Sequence, residues 1–257
     1  MANERQVEIK VDISKRLRAI ADNIPNLSRV VDVGTDHALL SIYLVNEGIA
    51  TRVIASDVAD GPIEAARVNV RRFGLDAVIE VRRGNGLATV SPGEVDTIVL
   101  AGMGGGLAAR ILRDGHTVVA RARQVIVQPM NDADATRHCF YDMGLHLVSE
   151  QVVREEDRLY DVLFANIPSG REEHSIDVYA PYVDDPLWLE IAFLLGPINL
   201  QQPTPEFLDK VAQELERWNK VSSGLSKSTQ AGLEAKRSAL QQRLARLSTW
   251  LSAVKEQ

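Results

Sequence analysis

Mostly apolar runs of five or six residues alternate with amphipathic segments along the first two thirds of the chain, and this alternation restricts the fold more than any other feature. The runs are RVVDV (29–33), RVIAS (52–56), VIEVR (78–82), DTIVLA (96–101) and QVIVQ (124–128). Helical patterns stand between them at 37–47, 62–73, 106–113 and 132–143, and Gly48, Gly74 and Gly144 close three of these. Strands without a polar face, separated by helices, predict a parallel sheet covered on both sides. LHLVSEQVVR (145–154) and RLYDVLFANI (158–167) are joined by a short acidic turn with no helix between, so they should form an antiparallel hairpin at one edge. The expected fold class is α/β, a seven-stranded doubly wound, Rossmann-like sheet. A short amphipathic helix leads in over DISKRLRAIADNIP, with Asp12 as its N-cap.

The pattern changes after residue 167. Residues 168–205 are rich in proline and turn formers and read as a linker. Leu208, Val211, Leu215, Trp218 and Leu225, then Leu233, Leu240, Leu244, Leu247 and Leu251 after SSGLSKSTQAG, follow three-and-four spacing. They predict a coiled-coil-like α-helical hairpin with arms about 25 Å long. The expected domains are therefore 1–167 and 168–257. Residues 1–205 hold 20 Lys plus Arg against 29 Asp plus Glu, or −9, whereas residues 206–257 hold 9 against 6, or +3. A net charge of −6 does not suit a protein that coats nucleic acid by bulk attraction. The hairpin offers a local basic surface, although long exposed helices also carry mixed charge for solubility alone.

Composition narrows the class further. A single cysteine, Cys139, allows no internal disulfide and suits a reducing cytosol. No apolar run approaches the roughly 18 residues needed to cross a bilayer, and MANERQVEIKVD lacks the apolar core of a signal peptide. Five histidines and one cysteine show no metal-ligand spacing, so no metal is expected. A cytoplasmic enzyme or binding protein remains.

The chemistry concentrates in VVDVGTDHALL (30–40). A dinucleotide site needs G-x-G-x-x-G so that backbone can approach a pyrophosphate, but here the row is Asp32, Gly34, Asp36, Ala38. Carboxylates would repel a pyrophosphate and welcome a cation. S-adenosylmethionine, a sulfonium joined to adenosine, meets that requirement, and a nicotinamide dinucleotide does not. Asp36 also stands where an N-cap for helix 37–47 belongs, and His37 could be an ordinary first-turn residue. Asp57 ends the second strand, 23 residues after Gly34, where an acid in such a sheet holds ribose hydroxyls. Its alternative role is turn chemistry, although Asp60 already supplies a cap ahead of Pro62. RGNGL (83–87) places Asn85 where an amide could read an adenine edge. AGMGGG (101–106) supplies bare backbone and one soft contact, Met103. All four loops follow strand carboxyl ends, so they converge on one edge of the sheet.

Together SKRLRAIADNIP, DVGTDHALL, SDVADGPIEAARVNV, GNGL, VDTIVLAGMGGG, Gln128-Pro129, REEDRLYDVL and LLGPINLQQPTPEFLDKVAQELERW resemble the bacterial tRNA adenine-22 N1-methyltransferases, class I S-adenosylmethionine-dependent enzymes. The resemblance implies a seven-stranded methyltransferase domain followed by a helical one. It places Asp32, Gly34, Asp57, Asn85, Gly86, Gly102 and Met103 at cofactor positions, and Asp36 and His37 where the methyl group meets its acceptor. Arg16, within the Lys15 to Arg18 cluster, is expected to border the same pocket and contact the RNA, or else lies on a solvated helix face. The chain departs from the family at Leu39, where H-A-Y-L-P is common, and at Met130, where Q-P-N is common.

The reaction so implied is methyl transfer to N1 of an adenine in tRNA, with the Asp36 carboxylate stabilising the developing purine cation or accepting a hydrogen bond from N6. Lys210, Arg217, Lys220, Lys227, Lys236, Arg237, Arg243 and Arg246 of the hairpin are the expected tRNA contacts; dimerisation through the hairpin is the alternative, so monomer and homodimer both stay open. Two other functions also stay open: a methyltransferase of this fold acting on another RNA site or a protein amine, and an RNA-binding module without turnover. AGMGG in place of an Asn-Pro-Pro-Tyr loop weighs against exocyclic and protein amines.

Overall fold

A computed structural model of the chain describes residues 11–168, 177–226 and 233–256. Two compact units divide it, residues 1–176 and 177–257. The first unit contains α1 (Lys15–Ala21), β1 (Ser28–Val33), α2 (Leu39–Asn46), β2 (Ala50–Asp57), α3 (Asp60–Arg72), β3 (Ile79–Arg83), β4 (Thr97–Met103), α4 (Gly105–Asp114), α5 (His116–Val119), β5 (Gln124–Pro129), α6 (Ala133–Asp142), β6 (His146–Glu155) and β7 (Arg158–Asn166).

The seven strands form one sheet in the order β3-β2-β1-β4-β5-β7-β6. β1 pairs in parallel with both β2 and β4, whereas β7 runs antiparallel to β5 and β6. The order reflects connection geometry. Right-handed crossovers carry the chain outward from β1 to β3, and it then returns to the other side of β1 to begin β4. The expected hairpin is present, but its later strand lies inside the sheet. β7 presents the buried run Asp161–Ala165, which needs cover on both faces, whereas β6 alternates in burial and tolerates the edge.

One face of the sheet is covered by α1, α2 and α3. Ile20, Ala21, Leu40, Ile42, Leu44, Ala66 and Val70 pack there with Val30, Val53, Ala55, Val99, Ile126 and Phe164. Helix α1 starts later than the sequence suggests. Ser14, not Asp12, is its N-cap and accepts from Leu17 N at 3.5 Å. Asp12 stays exposed, 3.8 Å from Arg18, because a cap must stand immediately before the first turn.

An ion triad joins α6 to the terminal hairpin. Arg137, fully buried, reaches Glu150 at 2.5 Å and Asp161 at 3.1 Å. Arginine's rigid fork can serve two carboxylates at once, which makes a buried position tolerable.

In the second unit, residues expected to be linker are partly helical: α7 (Pro186–Leu195) and α8 (Pro197–Gln201) precede α9 (Pro205–Ser226) and α10 (Leu233–Lys255). Their prolines act as first-turn residues and not as breakers. Asp185 accepts from Leu187 N and Trp188 N immediately before Pro186. The hairpin arms, at 22 and 23 residues, are nearer 33 Å than the expected 25 Å. Phe207 meets Trp250 edge-on at 6.0 Å between the arms, with Val211, Leu215, Trp218, Leu240, Leu247 and Leu251 buried along them. No described helix is long and apolar enough to cross a membrane.

Replacing Arg137 by methionine should leave Glu150 and Asp161 buried without their cation. Urea titration is expected to show a loss of about 3–5 kcal/mol in unfolding free energy.

Candidate functional site at the carboxyl edge of the sheet

The strand order reverses between β1 and β4, so the loops that leave their carboxyl ends diverge and open a crevice. The β1 loop is held from inside. Asp32 is buried, and its Oδ2 accepts from Thr35 Oγ1 at 2.7 Å and Ser41 Oγ at 2.9 Å. Gly34 N and Thr35 N both donate to Ser56 O, at 2.8 and 3.0 Å. Burial raises the Asp32 carboxyl above its ordinary value, and the two hydroxyls act against that rise by favouring the charged form. Thr35 and Ser41 had no motif to mark them; only the turn brings their hydroxyls back to Asp32.

Beyond Thr35 the chain does not enter a helix at once. His37 and Ala38 are both left-handed, at φ 59° and 57°, and α2 begins at Leu39 with no side-chain cap. Asp36 is therefore not the N-cap that its sequence position suggests, because two left-handed residues separate it from the first turn. Its Oδ1 lies 3.1 Å from His37 Nε2, and the two side chains are 83% and 53% exposed, so this pair faces solvent at the mouth. Asn69 on α3 donates to the His37 carbonyl at 2.9 Å.

At the end of β2, Asp57 Oδ1 accepts from Ala59 N at 2.8 Å, while Oδ2 has no protein partner among the described residues. The turn chemistry weighed from the sequence thus exists and uses one oxygen only. Asp60 opens α3 and pairs with Arg83 at 2.9 Å, and Ala59 occupies the cap position expected for Asp60. Beyond β3, exposed Asn85 precedes Gly86, which is left-handed at φ 54°. Both border a cavity of about 250 Å³ that is also lined by Leu87, Ile111 and Gly115. A Cβ on Gly86 would meet Ile111 Cγ2 at 2.9 Å.

The β4 end completes the crevice. Gly34 and Gly102 take φ of 77° and 75°, and a Cβ on Gly34 would stand 3.0 Å from Met103 Cε. The β1 and β4 loops therefore approach as closely as the glycine allows. Met130 N donates to Met103 O at 2.8 Å, tying β5 to the same edge. Buried Gln128 accepts through Oε1 from Gly102 N at 3.2 Å and from Arg16 Nη1 at 2.9 Å. Arg16 also contacts Glu155 and lies 5.5 Å from the centre of the Tyr160 ring. A polar chain thus runs from α1 to the β4 loop. Gln128 had a local signal, an amide at the end of an apolar strand; Glu155 and Tyr160 had none, since the terminal hairpin folds them back onto α1.

The hairpin cations divide into two groups. Arg217 pairs with Glu214, Arg243 with Glu190 and Arg246 with Asp185. Lys220, Lys236 and Arg237 are exposed and make no ion pair among the described residues. Lys210 is half-buried, and Lys227 lies outside the described residues. Among the described residues no group of three or more His, Cys, Asp or Glu could hold a metal.

Residues 13–163 match the family model described as a methyltransferase domain. The chain is 33% identical over 219 residues to the tRNA (adenine(22)-N(1))-methyltransferase of Bacillus subtilis strain 168, covering 85% of this chain and 88% of that protein. The crystal structure of a B. subtilis m1A22 tRNA methyltransferase superposes with a TM-score of 0.84 at 31% identity, covering 94% of this chain and all of that one. A Streptococcus pneumoniae structure solved in complex with S-adenosyl-L-methionine gives 0.77 at 29% identity, covering 93% and 100%.

Thr35→Val should remove one of the two hydroxyls that favour the charged form of Asp32, at a loss of about 1.5–3 kcal/mol near neutral pH. Folded Asp32 titrates above its unfolded value, so its carboxylate is the form that loses from burial at high pH. The Thr35→Val deficit, read by denaturant titration against pH, should therefore shrink as the pH falls through the raised Asp32 value.

Proposed function

The chain belongs to the bacterial tRNA (adenine-22 N1)-methyltransferase family, and from that premise we propose that it methylates N1 of adenine 22 in tRNA, using S-adenosyl-L-methionine. The observation that carries this reading is the crevice between β1 and β4. Two left-handed glycines, Gly34 and Gly102, bare the backbone on both sides of it, and Asp36 with His37 stands open at the mouth.

These residues fit the cofactor. Asp57 Oδ2, the carboxylate oxygen the turn does not use, is available to ribose hydroxyls. Asn85 presents an amide for the adenine edge, and Gly86 keeps that wall thin. Gly34, Gly102 and Met103 line the part of the crevice nearest the switch in strand order. Asp32 acts from behind: its carboxylate fixes the loop that carries Gly34 and Asp36. When bound, S-adenosyl-L-methionine supplies a methyl group on a positively charged sulfur.

The chain's own task is then alignment and charge compensation. Adenine N1 carries a free lone pair, so no strong base is required to generate the nucleophile. As N1 is alkylated the purine becomes cationic, and the exposed Asp36 carboxylate at the mouth stabilises that charge or accepts from the N6 amino group. His37 orients Asp36 through their 3.1 Å contact. Arg16, engaged with Gln128, Glu155 and Tyr160, shapes the acceptor side of the crevice beside Met130 and contributes little to phosphate binding. An adenine within folded tRNA must leave its stack to reach this edge.

Gripping of tRNA falls to the hairpin tip. Lys220 stands near the end of α9, and Lys236 and Arg237 near the start of α10, with Lys227 between them in sequence. Arg243 and Arg246 tie α10 to Glu190 on α7 and to its cap Asp185, and Arg217 is engaged by Glu214 within α9. A tRNA substrate is the support for a cytoplasmic location.

Purified protein incubated with methyl-labelled cofactor and a tRNA transcript should yield 1-methyladenosine at position 22, and none in a transcript carrying guanine there. Asp36→Ala should lower turnover at least tenfold with cofactor affinity unchanged. Label at another nucleotide, or none, would overturn the assignment. Reversing Lys220, Lys236 and Arg237 to glutamate should weaken tRNA binding at least tenfold. It should also reduce the slope of log K against log salt by about 2, because fewer phosphates are neutralised.

A further inference from the structure

His37 and Ala38 are consecutive residues with a Cβ, both held in the left-handed region, where an L-residue is disfavoured. Such a pair persists only when its surroundings impose it. The next helix does not do so by capping, since α2 has no side-chain cap at Ala38. Within the loop, the Asp32 contacts to Thr35 and Ser41 anchor the residues on either side of the pair, not the pair itself. The pair's carbonyls accept two hydrogen bonds: Ala38 O from Ile42 N at 2.9 Å as α2 begins, and His37 O, from 32 residues away, from Asn69 Nδ2 at 2.9 Å, the contact that a side chain makes to the pair.

Its chemistry is unambiguous, because a carbonyl only accepts and the Asn69 side chain must present its amide nitrogen. Asparagine is also a poor choice in the third turn of a helix on propensity alone, which points to a task outside the helix. Asn69 stands on α3, the helix that begins just after Asp57. It therefore links the element that follows the ribose-binding acid to the turn that displays Asp36 and His37.

We propose that Asn69 is a positioning residue for methyl transfer: by holding the His37 carbonyl it keeps the two left-handed residues in place and so aims Asp36 and His37 at the acceptor base. The proposal rests on the methyltransferase reading above. Asn69 touches neither cofactor nor base, so its loss should act on turnover more than on binding.

The test uses the full chain, S-adenosyl-L-methionine and a tRNA transcript. Asn69→Asp keeps the side chain's shape but sets an acceptor against the carbonyl, and Asn69→Ala removes the contact outright. Both should lower kcat about tenfold while KM for the cofactor changes less than twofold. Ala38→Gly then distinguishes aim from general stability, because glycine accepts a left-handed φ without the penalty. In the Ala38→Gly background the effect of Asn69→Asp on kcat should shrink to less than threefold. Unchanged kcat in both Asn69 variants would overturn the proposal, as would an equal loss with and without Ala38→Gly or a loss confined to cofactor KM. Absence of methylation by the unsubstituted protein would instead overturn the reading on which it rests.

Discussion

Because β4 returns to the far side of β1 instead of continuing beyond β3, the helices that follow these two neighbouring strands leave in opposite directions and neither can cover the crevice between them. On the function proposed above, that gap takes the cofactor: left-handed Gly34 and Gly102 would line it with bare backbone, and Asp57 at the end of β2 and Asn85 beyond β3 would bring polar groups to it. The gap exists at the cost of buried polarity. Asp32 is retained in a position where burial works against its charge, and two hydroxyls compensate because they fix the direction of the loop.

The two sides of the crevice are stiffened differently. On the β1 side, short local contacts within residues 32–41 are supplemented by the Ser56 carbonyl and by Asn69. On the β4 side, the support is long-range: Gln128 joins Gly102 to Arg16, and the terminal hairpin supplies Glu155 and Tyr160. The extra strands β6 and β7 therefore do more than widen the sheet. They place groups beside α1, while Arg137 locks both of them to α6 through Glu150 and Asp161. In the second unit Arg217, Arg243 and Arg246 are paired, whereas Lys220, Lys236 and Arg237, nearer the hairpin turn, make no ion pair among the described residues.

Strand and helix order was legible in the sequence because apolar periodicity is local: a strand covered on both faces must be apolar throughout, and a helix must show its stripe every three to four residues. The glycine row and the acids at strand ends were legible for the same reason, since each answers a backbone requirement of its own loop. The sequence also separated a basic helical hairpin from an acidic sheet domain. What periodicity could not convey was polarity at helix starts. Asp12, Asp36 and Asp60 each look like caps, yet Ser14, Ala38 and Ala59 occupy those positions. Likewise the prolines between 168 and 205 read as linker, although Pro186, Pro197 and Pro205 each open a helix.

By itself, then, the chain's residue pattern determined a doubly wound sheet, the strand ends where chemistry gathers and the kind of ligand those acids and glycines suit. Tertiary structure alone decided which groups act together. Asn69 meets His37 across 32 residues, and Arg16 meets Gln128 across 112 and Glu155 across 139. No local rule encodes such partners, because a side chain's hydrogen bond depends on where distant strands finish in the sheet, and that is fixed only when the crossovers close.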